Sequence, residues 1–71
     1  MTHEEIVEKA FFLTGAGDDD IRDEFRGGSS FLYFQYYKDM SKVIDEWLAG
    51  EGDEHFSAIW TGGNKIELVH V

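Results

Sequence analysis

Eight glycines fall at four places in this chain: Gly15 with Gly17, Gly27 with Gly28, Gly50 with Gly52, and Gly62 with Gly63. Glycine reaches the positive-φ conformations that end helices and close turns, so these places divide the chain into five short segments. The longest runs from residue 29 to residue 49. No other feature constrains the fold as strongly, because every regular element must begin and end inside one of these pieces. Seventy-one residues then allow a single domain, 1–71, since a chain of this length cannot divide into two cores.

The first segment opens with a written-out helix start. Thr2 is a capping residue and Glu5, three positions on, completes a capping box; Met1 and Ile6 occupy the two positions of a hydrophobic staple. Glu4, Glu5 and Glu8 crowd the first two turns, where the helix dipole favours negative charge. Ile6, Val7, Ala10, Phe11 and Thr14 form one stripe at helical spacing before Gly15, which predicts a helix over Thr2–Thr14. After the breaker Gly15-Ala16-Gly17, one of Asp18, Asp19 and Asp20 caps a second, short helix reaching about Arg26. In it Ile21 and Phe25, four apart, face inward together while Asp23 and Glu24 face water.

The segment from Phe31 to Ala49 is the most hydrophobic. Tyr33, Tyr36, Tyr37, Met40, Val43, Ile44 and Trp47 recur at spacings of three and four, with Lys38, Asp39, Lys42, Asp45 and Glu46 on the other side. This predicts one long central helix ending at Gly50. A strand at Phe31–Tyr37 followed by a helix from Lys38 competes with it, because the aromatic run has high β-propensity and periodicity does not arbitrate so short a stretch. Glu51-Gly52-Asp53-Glu54 reads as an acidic loop. Phe56, Ala58 and Trp60, then Ile66 and Leu68, alternate with their neighbours about Gly62-Gly63-Asn64, the signature of a β-hairpin. The expected architecture is α+β: three helices, the third long and central, followed by a C-terminal two-stranded antiparallel hairpin.

Composition fits a folded domain at 42% hydrophobic and 15% aromatic residues. The absence of cysteine suits a reducing compartment. No apolar run approaches the roughly 20 residues of a membrane span and no signal segment stands at the N-terminus, so the expectation is a cytoplasmic protein that begins at Met1. Six basic against fifteen acidic side chains leave a net charge of −9. Such a field repels nucleic acid and anionic lipid and attracts basic protein surfaces.

Catalytic and ligand signatures fail one by one. Asp18 and Asp20 are followed by Arg22 where a calcium loop needs another oxygen ligand, and the glycine such a loop needs is missing. His3, His55 and His70 are far apart and form no helix-borne metal pair. Gly15-Ala16-Gly17 follows a predicted helix, and Asp20 stands where the third glycine of a dinucleotide fingerprint belongs. There is no Cys, and Ser29, Ser30, Ser41 and Ser57 have no His or Lys at a recognised motif spacing. The expectation is a non-enzyme with no cofactor and no metal, since so short a chain has little room for an enclosed substrate pocket beside its core.

What remains is charge and aromatic surface. Asp18, Asp19, Asp20, Asp23 and Glu24 form one acidic group; Glu51, Asp53 and Glu54 form a second; Glu4, Glu5 and Glu8 form a third. Brought together, such carboxylates imitate a row of phosphates and fit a basic nucleic-acid groove. Taken singly, they serve as helix caps and solvated faces. Phe31, Tyr33, Phe34, Trp47 and Trp60 are read as core, whereas Tyr36 and Tyr37, exposed beside acids, suit a protein-binding surface. The expected partner-binding residues are therefore Asp18, Asp19, Asp20, Asp23, Glu24, Glu51, Asp53, Glu54, Tyr36 and Tyr37.

Three helices followed by a hairpin resembles the element order of the winged-helix domain, whose third helix reads DNA and whose hairpin is a basic wing. Here that helix offers only Lys38 and Lys42 among Asp39, Asp45 and Glu46, and the hairpin only Lys65, so the resemblance implies a winged helix turned to protein contacts. The alternative function is a helical adaptor or homodimerisation module that uses the aromatic third helix, Phe31–Trp47. In size, acidity and lack of cysteine the chain is also similar to the small inhibitors encoded by bacteriophages, such as anti-CRISPR and anti-restriction proteins, with no shared motif. That similarity implies an acidic, DNA-mimicking inhibitor that blocks a basic, nucleic-acid-handling surface of a partner protein, with no direct nucleic-acid or membrane binding.

Overall fold

The computed structural model describes residues 2–48, 56–60 and 62–70, with the backbone alone for 56–60. The expected acidic loop, with Glu51, Asp53 and Glu54, lies outside the described residues. The elements in order are helix α1 (His3–Thr14), strands β1 (Ile21–Arg26) and β2 (Ser29–Phe34), helix α2 (Tyr37–Val43) running into a π-helical turn over Ile44–Leu48, and strands β3 (Phe56–Trp60) and β4 (Lys65–His70). The strands form one antiparallel sheet in the order β1-β2-β4-β3.

α1 follows its sequence signals closely. The Thr2 hydroxyl accepts the Glu5 backbone N–H at 3.2 Å, and the Glu5 carboxylate accepts the Thr2 backbone N–H at 2.9 Å. Gly15 closes the helix at φ 65°, a left-handed conformation costly for any residue with a Cβ, and its N–H returns to the Phe11 carbonyl.

The expected three-helix architecture is wrong in its middle half. The second helix, placed between Asp18 and Arg26, is strand β1. The long helix from Phe31 to Ala49 is strand β2 followed by the shorter α2. Ile21 and Phe25 are four apart, which puts them on one face of a strand as well as of a helix, so their spacing did not discriminate. Gly27-Gly28 decides the matter: both adopt positive φ, 60° and 79°, as the two-residue loop of a tight hairpin requires, and they join β1 to β2 where a helix end was expected. In β2 Ser30, Leu32 and Phe34 take one sheet face and Ser29, Phe31 and Tyr33 the other, and β-propensity outweighs the apparent helical spacing. That spacing holds only from Tyr37 onward, where Met40, Val43 and Trp47 turn inward. Asp39, assigned to the solvent side, is buried. The hairpin of β3 and β4 is where the alternation places it, yet β4 also pairs with β2, so the hairpin extends a sheet. With strands between its helices, the chain does not have the winged-helix order.

The register explains the core. Ile21 lies opposite Phe34, Leu32 opposite Ile66, and Ser30 opposite Leu68, which sets these side chains on one sheet face. Ile6 and Ala10 of α1, then Met40, Val43 and Trp47, cover that face. The other face carries no helix among the described residues. It holds Arg22, Glu24, Arg26, Phe31, Tyr33, Lys65 and Glu67. There Phe31 is buried under its neighbours: the Arg26 guanidinium sits 4.8 Å and the Lys65 ammonium 5.2 Å from its ring centre. Long cationic side chains thus do the covering that a helix performs on the opposite face.

Candidate functional site

The sheet face under α1 carries a polar chain that links three strands and the helix. His3, the first helical residue, points at the sheet. Its Nε2 lies 2.7 Å from Asp23 Oδ2 on β1, and its Nδ1 lies 2.8 Å from Ser30 Oγ on β2. Ser30 Oγ in turn lies 2.7 Å from Nε2 of His70 on β4. The Phe25 ring stands beside both imidazoles, with centroids 5.3 Å from each. When His3 is neutral and gives its Nε2 proton to Asp23, its Nδ1 accepts the Ser30 hydroxyl proton, and Ser30 accepts from His70. When His3 carries both protons it donates to Ser30, which then donates to His70. Protonation of one ring reverses the two bonds at Ser30 and leaves the His3–Asp23 bond running as before.

Carboxylate, imidazole and hydroxyl in this order match the groups that activate a serine nucleophile. The surroundings differ. Ser30 is 0% exposed, its hydroxyl is shared with a second imidazole, and Phe25 stands against both rings. Placed there, Ser30 Oγ is out of reach of an acyl substrate, and the chain acts as a clasp that holds α1 on the sheet. Sequence reasoning missed it because the partners lie 27 and 40 positions apart. The one legible signal was Ser29-Ser30 heading the most hydrophobic segment, where a buried polar pair must find partners.

Beside the clasp, His3, Glu4, Val7, Glu8 and Asp23 line an open pocket of about 300 Å³. Glu4 and Glu8 are one turn apart on α1, exposed, and face Asp23 across the pocket. The fold therefore joins one carboxylate of the Asp18–Glu24 group to two of the N-terminal group. The rest of that group spreads out. Asp18 and Asp19 are exposed in the turn before β1, and Asp20 Oδ2 accepts the Gly17 N–H at 3.1 Å. Asp19 and Asp20 line a second pocket of about 270 Å³ with Arg22, Tyr33, Phe34 and Gln35. Glu24 lies on the opposite sheet face from Asp23, where it accepts the Tyr33 hydroxyl at 3.1 Å. Burial and then this bond to Glu24 hold the Tyr33 phenol above its ordinary value. Tyr36 and Tyr37 are exposed at the start of α2, with the Lys38 ammonium 5.7 Å from the Tyr36 ring centre. Phe12, on α1, is 86% exposed.

Among the described residues no three His, Asp or Glu side chains gather closely enough to hold a metal ion. No described helix is long and apolar enough to cross a membrane. Comparison of the chain with protein-family models, with curated proteins and with solved structures finds no match.

Proposed function

We propose that this chain is a small acidic protein-binding inhibitor or regulator, and that it presents the carboxylates between α1 and β1 to a basic, nucleic-acid-handling surface of a partner protein. The observation that carries the reading is the convergence of Glu4, Glu8 and Asp23 on one open pocket of about 300 Å³. Glu4 and Glu8 project from a helix whose start is capped, and Asp23 is held by His3, so neither side of the pocket needs to be ordered on binding. The net charge of −9 supports fast, salt-sensitive association with a cationic surface. An arginine or lysine from such a surface fits between the three carboxylates, in the position a phosphate row offers it.

The test is affinity capture from a lysate of the source organism at low and high salt, using the wild-type chain and a Glu4→Gln/Glu8→Gln variant. A nucleic-acid-binding protein retained at low salt, released as salt rises and held about tenfold more weakly by the variant is the expected result. Capture that ignores both salt and the two substitutions overturns the reading.

A further inference from the structure

β1 is an edge strand, and its outer side pairs with no strand among the described residues. The hydrogen-bond phase shows which backbone groups point outward. The Gln35 N–H donates to the Asp20 carbonyl, which makes 20 and 35 a hydrogen-bonded pair in the β1–β2 register. Even-numbered residues of β1 therefore spend their backbone groups on β2. The N–H and C=O groups of Ile21, Asp23 and Phe25 face away from the sheet. Phe25, 56% exposed, leaves an aromatic ring at this edge. An open edge of this kind is a template for another strand.

We propose that the partner of this edge is β1 of a second copy of the chain, paired antiparallel about a two-fold axis at Asp23. The outward phase admits only pairings of odd with odd residues. Two of these overlap most of the strand, one centred at Asp23 and one at Glu24. The register centred at Glu24 sets Arg22 against Arg26 twice and Glu24 against its own copy, so every charged pair on the open sheet face repels. The register centred at Asp23 sets Arg22 against Glu24 of the second copy twice, and extends to Asp20 against Arg26 twice. On the helix face it sets Ile21 against Phe25 twice. Only the two copies of Asp23 meet as like charges, and each has the His3 ring 2.7 Å away. Charge complementarity thus selects one register and one occupant. A strand this short buries far less than the roughly 1,200 Å² of a stable interface, so the dimer is weak. Glu4 and Glu8 of both copies stand on the helix side of the seam, and two chains of −9 repel, so added salt strengthens the pairing. This inference does not depend on the proposed partner surface, whose binding responds to salt in the opposite direction.

Sedimentation equilibrium at up to millimolar concentration, in low and moderate salt, tests it together with amide exchange of Ile21, Asp23 and Phe25. The expected result is a dimer that tightens with salt and slows exchange at those three amides. Arg22→Glu and Glu24→Arg each loosen it about tenfold although they move the net charge in opposite directions. An equimolar mixture of the two variants restores association as a heterodimer, and so does the double variant with itself. Circular dichroism of each variant confirms that the fold is intact. A monomer at every concentration and salt overturns the proposal. So does a dimer indifferent to both reversals, or one in which those three amides stay unprotected.

Discussion

Nδ1 of His3 stands 2.8 Å from the hydroxyl of Ser30, joining the first turn of the N-terminal helix to the middle of the sheet across 27 positions of sequence. The contact is buried on the serine side, so the hydroxyl has no water to fall back on. Ser30→Ala leaves facing nitrogens of two imidazoles, those of His3 and His70, without their partner. The expected cost is about 1–3 kcal/mol. That is a large share of the roughly 3–5 kcal/mol a core of this size supplies. Urea unfolding measures the loss, and amide exchange in α1 reports whether the helix loosens from the sheet first.

Glu5 has its carboxyl held below the ordinary value of 4.5, first by the backbone N–H of Thr2 and then by the Thr2 hydroxyl. The sign follows from a depressed folded value. The contribution to stability is complete above the ordinary glutamate value and is lost as pH falls through the lower, folded one. A proton titration of the Glu5 carboxyl followed by NMR is expected to give a midpoint below 4.5. In Thr2→Ala, which removes one of the two bonds and loosens the cap, the midpoint moves back toward 4.5. An unchanged midpoint would show that the cap does not hold this carboxylate.

Tyr33 titrates in the other direction, above 10.0, because its phenol is partly desolvated on the sheet face and donates to Glu24. Glu24→Gln removes the negative charge and leaves the burial, so the ultraviolet titration of this tyrosine shifts downward without reaching the free value. A Tyr33 titration unmoved by Glu24→Gln would place the whole effect in burial.

Gly27 and Gly28 both occupy positive φ in the turn that makes the second segment a strand. Gly27→Asn is expected to be close to neutral, since asparagine tolerates this conformation. Gly27→Val costs more than about 1 kcal/mol, because a β-branched residue does not. No atom stands within 4 Å of a Cβ added at either position, so the penalty is one of backbone conformation and not of collision. Equal stability of the two variants, measured by thermal unfolding, would refute the turn assignment.

The N-terminal helix and the alternation of the final hairpin were legible in the chain itself, because both rest on local rules. A capping box involves residues three apart, a C-cap needs one glycine, and alternation about Gly62-Gly63-Asn64 needs only neighbours. The inward set Met40, Val43 and Trp47 was legible for the same reason. The middle of the chain was not. Ile21 and Phe25 share a face in either conformation, and the aromatic run of Phe31–Phe34 satisfies helix and strand spacing alike, so the choice passed to the partners those residues find. β2 is a strand because β1 and β4 pair with it on its two sides, and that is a tertiary fact. The same holds for the candidate site. Local sequence supplied the acidic groups, but a period of two in β1 sent Asp23 to the helix side and Glu24 to the open face, and only the packing of α1 over β1 brought Asp23 to Glu4 and Glu8. The clasp of Asp23, His3, Ser30 and His70 likewise joins residues from four elements. Local sequence settles what each short piece can cap, turn or bury, whereas the meeting of distant side chains depends on strand pairing that closes only when the whole sheet forms.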